Sequence, residues 1–342
     1  MQQIKLSYII PIYNAKRYLA ECLDSIYATS VDECVFEVIC VNDCSPDNSR
    51  EVLLEYQKTH TNLVLIDHAE NKKAGGARNT GLLTAKGEYV WFVDADDTIE
   101  PYALKTILEA CEINDLDALC FNYALWYSDR KKEEHVFEKS QRVQKGADFL
   151  MDVFGDEIIY HLGYAVRAVY RRQVLMDNGI RFPEQLIYGE DTTFMAMGVM
   201  CGEHVMAVDD VLYNYRQEVA TSSSAQLAEM KGERIYESIF RAGELVVALK
   251  DQAAKISMPL ANAIETGLTW FVNRLFIRLV KTNYIERCIF FQTLAMTDQE
   301  ILKSIVMYMD KKNRFIVEYP LIGKYILNLL SFIYRVKHKI LF

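Results

Sequence analysis

The chain lacks several features that would assign it to a special class. No stretch reaches about 18 uninterrupted apolar residues, so no membrane-spanning helix is expected. There is no internal repeat and no low-complexity segment, so a repeat architecture is not expected either. Residues 1–7 lead at once into a predicted strand, and we therefore expect no signal peptide.

Cysteine patterning and excess positive charge are also missing. The eight cysteines (22, 34, 40, 44, 111, 120, 201 and 288) form no C-x-x-C pair and no zinc-ligand spacing. Scattered cysteines of this kind fit a reducing compartment, so a cytoplasmic protein is expected. The net charge of -9 argues against nucleic-acid binding.

Strand and helix patterns alternate through the first hundred residues. Apolar and β-branched runs predict strands at 6–12, 36–41, 63–67 and 89–93, and helical spacing predicts helices at 15–27, 50–59 and 75–85. This rhythm predicts an α/β fold with a parallel, doubly wound sheet. The next elements predicted are a helix at 102–114, strands at 117–122 and 162–170 with a polar hairpin or surface excursion at 128–146 between them, and a helix at 171–178.

Beyond about residue 224 the strand signals fade and long helical patterns follow. We therefore divide the chain into an α/β domain at 1–224 and a helical C-terminal region at 225–342. Within that region, 321–342 has four basic residues, no acidic residue and a short apolar stretch. Such a segment fits a helix lying on an anionic membrane surface, or a terminal helix packed on the protein with a basic exposed side.

An acidic loop, Asp94 to Asp97, follows the strand at 89–93. Carboxylates this close repel one another unless a cation or hydrogen-bond donors compensate them, and a divalent cation carrying phosphate oxygens would do so. The alternative is a solvated turn before a helix, with Thr98 or Asp97 as N-cap and Pro101 in the first turn. Other polar residues end neighbouring strands, at 13–14 and 42–43, and we expect them at the same edge of the sheet.

Five ordered motifs resemble those of the inverting family 2 glycosyltransferases with the GT-A fold. They are Ile9-Ile-Pro-Ile-Tyr-Asn, Val41-Asn-Asp-Cys-Ser-Pro-Asp-Asn-Ser, Asn71 through Ala77-Arg78-Asn79, Gly87 through Asp94-Ala-Asp-Asp, and Gly189-Glu190-Asp191. Each is weak alone, but their order and spacing across about residues 6–216 make a strong signal. The resemblance implies a Rossmann-like, mostly parallel sheet flanked by helices, with a nucleotide-binding half at about 1–100 and an acceptor half at about 101–224.

The resemblance implies a UDP-sugar donor. Tyr13 would stack on the uracil, unless it is a core-edge aromatic, and Asp43 would accept the uracil N3–H, unless it closes an Asx turn. Cys44 stands where the family has glycine, which implies a slightly different turn. The residues expected to bind the nucleotide sugar are Pro11, Tyr13, Asp43, Asn71, Lys73, Arg78, Asp94 and Ala95.

Two of these positions have alternatives. Lys73, at a position where the family often has glycine, would contact the diphosphate or lie in a solvated basic loop. Arg78 would bind the diphosphate near a helix N-terminus or pair with the acidic loop. Downstream, Arg216 would supply a further cation to the diphosphate.

The resemblance also implies a metal and a general base. Asp94 and Asp96 match the family's D-x-D motif, in which Asp96 would ligate Mg²⁺ or Mn²⁺, with Asp97 as the other candidate ligand. Asp191 would take the proton from the acceptor hydroxyl. The alternative is that Glu190 and Asp191 only charge the first turn of the helix that follows.

The expected function is an inverting, metal-dependent hexosyl- or N-acetylhexosaminyltransferase of bacterial surface-polysaccharide assembly. It would act from a UDP-sugar onto a glycan or lipid-linked acceptor, with 321–342 as a peripheral contact to the inner leaflet of the membrane. An inactive UDP-sugar-binding scaffold is one alternative. A nucleotidyltransferase is another alternative. That class would require a Gly-rich, basic signature right after the first strand, where this chain has Pro11-Ile-Tyr-Asn.

Overall fold

The computed structural model describes residues 3–137, 142–154, 164–184, 190–217, 247–266, 311–319, 325–327 and 329–330. The chain divides into two compact units, one made of 1–154 and 162–222 and the other of 155–161 and 223–342. The functional division at residue 224, into a transferase domain and a helical region, stays a prediction.

The first unit opens with the predicted alternation of strands and helices. Its elements are β1 (Leu6–Ile12), α1 (Lys16–Tyr27), β2 (Phe36–Asn42), α2 (Ser49–Tyr56), β3 (Leu63–Asp67), α3 (Lys73–Thr84) and β4 (Tyr89–Phe92). Every residue of β2 is buried, as expected for a strand covered on both faces. In α1 the buried residues are Leu19, Cys22, Leu23 and Ile26, one apolar face at helical spacing.

The second half of this unit departs further from the sequence prediction. It comprises β5 (Thr98–Ile99), α4 (Ala103–Asn114), β6 (Ala118–Trp126), β7 (Lys131–Glu134), α5 (Gly146–Phe154), β8 (Ala168–Arg171), α6 (Arg172–Asp177), α7 (Glu190–Met200) and β9 (Val205–Arg216). The hairpin predicted at 128–146 is present as β7 against β6. The strand predicted at 162–170 is wrong in extent, because a 3-10 turn at Ala165–Arg167 precedes a strand of only four residues.

The described strands form one mostly parallel sheet, as predicted. Their order is β3-β2-β1-β4-β8-β6-β9-β5, with β7 paired to the outer part of β6. β1 to β4 are mutually parallel, β8 runs antiparallel to both β4 and β6, and β9 is parallel to β6. β5 pairs antiparallel with the end of β9, so the loop between β4 and β5 lies against the last residues of β9.

The core of the sheet is aromatic, and α3 lies unusually close to it. Trp91 of β4 contacts Tyr8 of β1 and Phe121 of β6, with ring centroids 5.5 and 5.2 Å away. At Gly81 of α3, an added Cβ would stand 2.3 Å from Ile9 Cγ2, so only glycine permits this approach. Because α3 is this close, the residues one turn before Gly81 are held against the carboxyl edge of the sheet.

In the second unit the described residues are largely helical, at 247–256, 258–266 and Lys311–Glu318. Most of the helical patterns predicted beyond 225 lie outside the described residues, as does most of the basic segment 321–342. In the part of the chain that is described, no helix combines the length and apolar character needed to cross a bilayer.

Candidate active site

Three neighbouring parallel strands bring polar residues to one edge of the sheet. β1 pairs with β2 on one side and with β4 on the other, all in the same direction. Tyr13 and Asp43 directly follow β1 and β2, and Asp94 follows β4 after one further residue. The prediction that the polar strand ends share an edge is therefore confirmed.

Asp43 is almost completely buried, with 2% of its surface exposed. Its Oδ1 accepts the Lys72 backbone N–H at 2.8 Å and lies 2.7 Å from His68 Nδ1. These partners are 29 and 25 residues away in sequence, so the Asx-turn alternative is wrong. Oδ2 is buried and has no hydrogen-bond partner among the described residues. A buried acceptor left open in this way costs about 1–3 kcal/mol, which an N–H group of a ligand would offset.

Tyr13 is held at the edge by the loop between β2 and α2. Its side chain is 48% exposed, so the core-edge alternative is wrong. The next residue, Asn14, has a φ of 54° and donates its backbone N–H to Ser45 Oγ at 2.7 Å. Asp47 Oδ2 accepts the Lys16 backbone N–H at 2.9 Å, at the start of α1. The β2–α2 loop thus caps α1 and orients the chain that carries Tyr13.

The loop before α3 lies across the backbone of Asp43. Asn71 Nδ2 donates to the Asp43 carbonyl at 3.1 Å, and Asn71 Oδ1 accepts the Lys73 backbone N–H at 3.1 Å. Lys73 is exposed and has a φ of 64°, and Cys44 has a φ of 56°. Both therefore adopt the left-handed backbone that favours glycine, the residue that the family resemblance led us to expect at these places.

Asp97 of the acidic loop is engaged by the protein itself. Its carboxylate is fully buried, accepting the Tyr213 hydroxyl at 2.6 Å and the Arg216 backbone N–H at 2.7 Å. Burial, together with the charges of Asp96 and Asp94, raises the pKa of Asp97 well above its usual range. The capped-turn alternative is wrong, because Thr98 begins β5 and α4 starts only at Ala103.

Asp96 is the carboxylate of the loop that remains open. Its side chain is half-buried and makes no hydrogen bond to another described residue beyond the contact with its own backbone N–H, while its carbonyl accepts Arg216 Nε at 2.8 Å. Burial, and then repulsion from Asp94, raises the pKa of Asp96 to about 6. Among the described residues, no group of three or more His, Cys, Asp or Glu side chains is arranged to hold a metal alone.

Arg78 joins the acidic loop to the residue predicted as the base. The guanidinium is buried, donating from one terminal nitrogen to Asp94 Oδ1 at 2.8 Å and from the other to Asp191 Oδ1 at 2.9 Å. Glu190 Oε1 lies 3.7 Å from the nitrogen that faces Asp191. Burial lowers the pKa of Arg78, but these three carboxylates outweigh it and raise that pKa above its usual range. The structure thus shows the pairing with the acidic loop that the sequence left open.

Asp191 lies in the first turn of α7. Burial raises the pKa of its carboxyl to about 8, with Arg78 opposing the rise and the charges of Glu190 and Asp94 adding to it. A carboxylate with a pKa this close to neutral is well matched to accepting a proton. The geometry places it on the opposite side of one guanidinium from Asp94.

Asn79 fastens the segment before α7 onto α3, a role that the sequence did not single out. Its Nδ2 donates to the Phe182 carbonyl at 2.8 Å, and its Oδ1 accepts the Phe182 backbone N–H at 2.9 Å. At Gly75, an added Cβ would stand 2.7 Å from the Pro183 carbonyl oxygen, so the two segments touch through their backbones. The Phe182 ring also lies 5.1 Å from the Arg78 guanidinium carbon.

Arg216 ends β9 beside the acidic loop. Its guanidinium stacks 4.1 Å from the Trp126 ring and donates to Glu21 at 2.5 Å. These contacts fix the cation next to Asp96. Its delivery of charge to a diphosphate stays a prediction.

The raised pKa of Asp191 predicts a pH dependence. Below about pH 8 the carboxyl is mostly protonated and cannot take a proton, so the rate should rise about tenfold per pH unit and level off above about pH 8. We expect this acid limb in kcat/KM, which reports groups of the free enzyme, measured from about pH 6 to about pH 9. A kcat/KM that stays constant over that range would show that Asp191 does not act as the base.

The comparisons with known proteins agree with this arrangement. The model of glycosyl transferase family 2 matches residues 7–179, just over half of the chain. The chain belongs to glycosyl transferase family 2. The matched range contains the four motifs that build the donor side of the site and stops before Asp191.

Two relatives are similar in sequence to about two thirds of this chain. The chain is 30% identical over 212 residues to the uncharacterized glycosyltransferase EpsJ of Bacillus subtilis, covering 62% of this chain and 61% of EpsJ. It is 28% identical over 227 residues to the poly(ribitol-phosphate) beta-N-acetylglucosaminyltransferase TarS of Staphylococcus aureus, covering 66% of this chain and 38% of TarS. These alignments span less than two thirds of each relative.

The crystal structure of TarS 1–349 in complex with UDP-GlcNAc matches with a TM-score of 0.72 at 23% identity, covering 98% of this chain and 92% of that one. This likeness confirms the GT-A-like fold of our family 2 chain, a mixed α/β structure with a mostly parallel sheet and flanking helices.

Proposed function

We propose that this chain transfers a hexose or N-acetylhexosamine from a UDP-sugar to a glycan or lipid-linked acceptor, with inversion and with a divalent cation. The observation that carries the proposal is the double pairing of Arg78. One buried guanidinium holds Asp94 of the candidate donor loop and Asp191, the candidate base. A single displacement needs a base on the side of the anomeric carbon opposite the leaving group, and the shared guanidinium ties the candidate base to the loop that would hold the donor.

Tyr13 and Asp43 support a uridine nucleotide. The exposed ring of Tyr13 offers a stacking surface at the mouth of the site. The open Oδ2 of Asp43 offers an acceptor, which suits the N3–H of uracil. The structure of the relative TarS with UDP-GlcNAc is consistent with that donor class. Pro11 and Ala95, at the ends of β1 and β4, would line the same pocket.

The carboxylates of the acidic loop fit a hard divalent cation. Asp96 has an open carboxylate and a raised pKa, and Asp94 lies beside it, whereas Asp97 is already occupied by Tyr213 and Arg216. Mg²⁺ and Mn²⁺ typically take one or two carboxylates together with substrate phosphates, which agrees with the small number of protein ligands here. Such a cation, when bound, would offset the charge that develops on the departing diphosphate. Asp96 would hold it, with Asp94 next to it.

Asp191 performs the proton transfer in this proposal. The acceptor hydroxyl attacks the anomeric carbon from the face opposite UDP, the bond to the UDP oxygen breaks, and the hydroxyl proton passes to Asp191. One carboxylate is enough, because no covalent enzyme intermediate forms. Arg78 orients this carboxylate through the 2.9 Å hydrogen bond.

The acceptor side of the proposal is a growing surface glycan. TarS is named for transfer to poly(ribitol-phosphate), which supports a polymeric acceptor for this chain. A lipid-linked glycan at the inner leaflet would suit a peripheral contact through 321–342, most of which lies outside the described residues.

The experiment that tests this function is a donor panel. Full-length protein is titrated with UDP by calorimetry, with and without Mn²⁺, and then incubated with a set of UDP-sugars to measure release of UDP. We expect UDP to bind about tenfold more tightly with Mn²⁺ and one class of UDP-sugar to be hydrolysed slowly without acceptor. Binding without any hydrolysis or transfer would favour the inactive scaffold.

Asp96→Asn separates the two candidate metal ligands. This variant should keep its fold and lose the Mn²⁺ enhancement of UDP affinity, about tenfold, as chelation of the metal does for the wild type. Asp97→Asn is the comparison, and it should mainly lower stability because it weakens the buried bonds to Tyr213 and Arg216. If Asp96→Asn kept the full Mn²⁺ effect, Asp96 would not be a ligand.

A further inference from the structure

His68 lies buried against Asp43, although no motif or spacing in the sequence singled this residue out. The side chains of His68 and Asp43 are only 6% and 3% exposed. His68 Nδ1 is 2.7 Å from Asp43 Oδ1, and its Nε2 is 2.9 Å from Thr80 Oγ. Both ring nitrogens are therefore engaged inside the candidate nucleotide pocket.

The His68 ring is held at both nitrogens. A carboxylate oxygen accepts, so Nδ1 donates to Asp43 Oδ1. Nε2 lies against the Thr80 hydroxyl, which also contacts the Gly76 carbonyl at 3.1 Å. Helix α3, which carries Thr80, therefore fixes the ring, and the ring fixes Oδ1 of Asp43.

We propose that His68 is a positioning residue for donor recognition, which holds Oδ1 of Asp43 and leaves its Oδ2 to accept the N3–H of uracil. The proposal rests on the proposed function, because it presupposes a UDP donor. His68 would not touch the sugar or the reacting atoms. It would act through Asp43 on the choice of nucleobase.

The physical reason is the burial of Asp43. A buried carboxylate keeps one orientation when hydrogen-bond donors hold the oxygen that the ligand does not use. Oδ1 of Asp43 has two such partners, the Lys72 backbone N–H and the His68 ring, and of these His68 is the only side chain among the described residues. The nearby Asp67 is already satisfied by Arg50 and Asn42.

Loss of this contact would affect UDP more than CDP. Uracil donates its N3–H to the fixed Oδ2, whereas N3 of cytosine is an acceptor and makes no such bond to a carboxylate oxygen. His68 is therefore expected to set the preference for UDP over CDP. A residue that only supported the fold would affect both nucleotides alike.

The test is calorimetric titration of the full chain with UDP and with CDP, in the presence of Mn²⁺. His68→Ala should weaken UDP binding about tenfold and CDP binding much less, so that the UDP-to-CDP ratio falls about tenfold. His68→Asn, which can still donate toward Oδ1, should recover part of the UDP affinity. His60→Ala is the matched control, since His60 precedes β3, lies 2.9 Å from Glu33 and stacks on Tyr27, and it should leave both affinities unchanged.

Three results would overturn the proposal. An unchanged UDP-to-CDP ratio in His68→Ala, or an equal loss for both nucleotides, would leave the proposed function standing and remove His68 from donor recognition. Wild-type protein that fails to prefer UDP would remove both. If His68→Ala does not fold, Thr80→Val carries the same test, because it deprives Nε2 of its partner, and an unchanged ratio there would equally overturn the proposal.

Discussion

Asp191→Asn is expected to lower the transfer rate about 10³-fold while UDP affinity stays within about twofold of the wild type. The amide keeps the size of the side chain and can still meet Arg78, but it cannot take a proton from the acceptor hydroxyl. The measurement is kcat with the donor identified by the panel, together with calorimetric titration of UDP. A rate near that of the wild type would show that another group is the base.

Two further variants separate catalysis from helix electrostatics. Asp148→Asn is the matched control, since Asp148 also lies in the first turn of a helix, α5, and is exposed. Charge removal there should cost about 0.3–1 kcal/mol of stability and leave the rate unchanged. Glu190→Gln tests the neighbour of Asp191. If that variant lost the rate and Asp191→Asn kept it, the base would be Glu190.

Arg78→Met should destabilise the first unit by about 3 kcal/mol and lower transfer at least about 100-fold. The substitution removes a buried cation from among three carboxylates and leaves them facing one another. The destabilisation should be largest above about pH 8 and shrink as the pH falls below that value, because protonation of Asp191 and Glu190, whose pKa values burial raises, removes repulsion. Urea unfolding followed by tryptophan fluorescence measures the first effect, since Trp91 and Trp126 lie in this unit.

The control for this variant is Arg50→Met. Arg50 also donates to a carboxylate, Asp67 Oδ2, at 2.8 Å, but both side chains are more than a third exposed. An exposed pair of this kind contributes at most about 1 kcal/mol, so stability should change little. If Arg78→Met were as stable as Arg50→Met, the charge compensation described here would be wrong.

The elements of about the first hundred residues could be predicted because their signals are local. β1 to β4 are apolar runs bounded by polar loops, and α1 carries its buried residues at helical spacing. β9 was not predicted as a strand. Asp209 and Asp210 interrupt its apolar pattern where its pairing with β6 also changes register. Tertiary pairing with β6 overrides that interruption.

The acidic loop was predicted only in part. The sequence indicated Asp94, Asp96 and Asp97 and left open whether Asp96 or Asp97 would face a metal. In the structure the Asp97 carboxylate accepts hydrogen bonds from Tyr213 and Arg216, which are 116 and 119 residues further along the chain. No local pattern signals such partners, because they depend on the pairing of β9 with β5.

The sequence by itself determined the family, the parallel half of the sheet and the order of the polar loops along its edge. These follow from periodicity and motif spacing, which act over a few residues. The tertiary structure alone decided the pairings of Arg78 with Asp94 and Asp191, the latter 113 residues away, and of His68 with Asp43. The physical reason is burial, since charged groups removed from water must be compensated by whichever groups the fold brings to them.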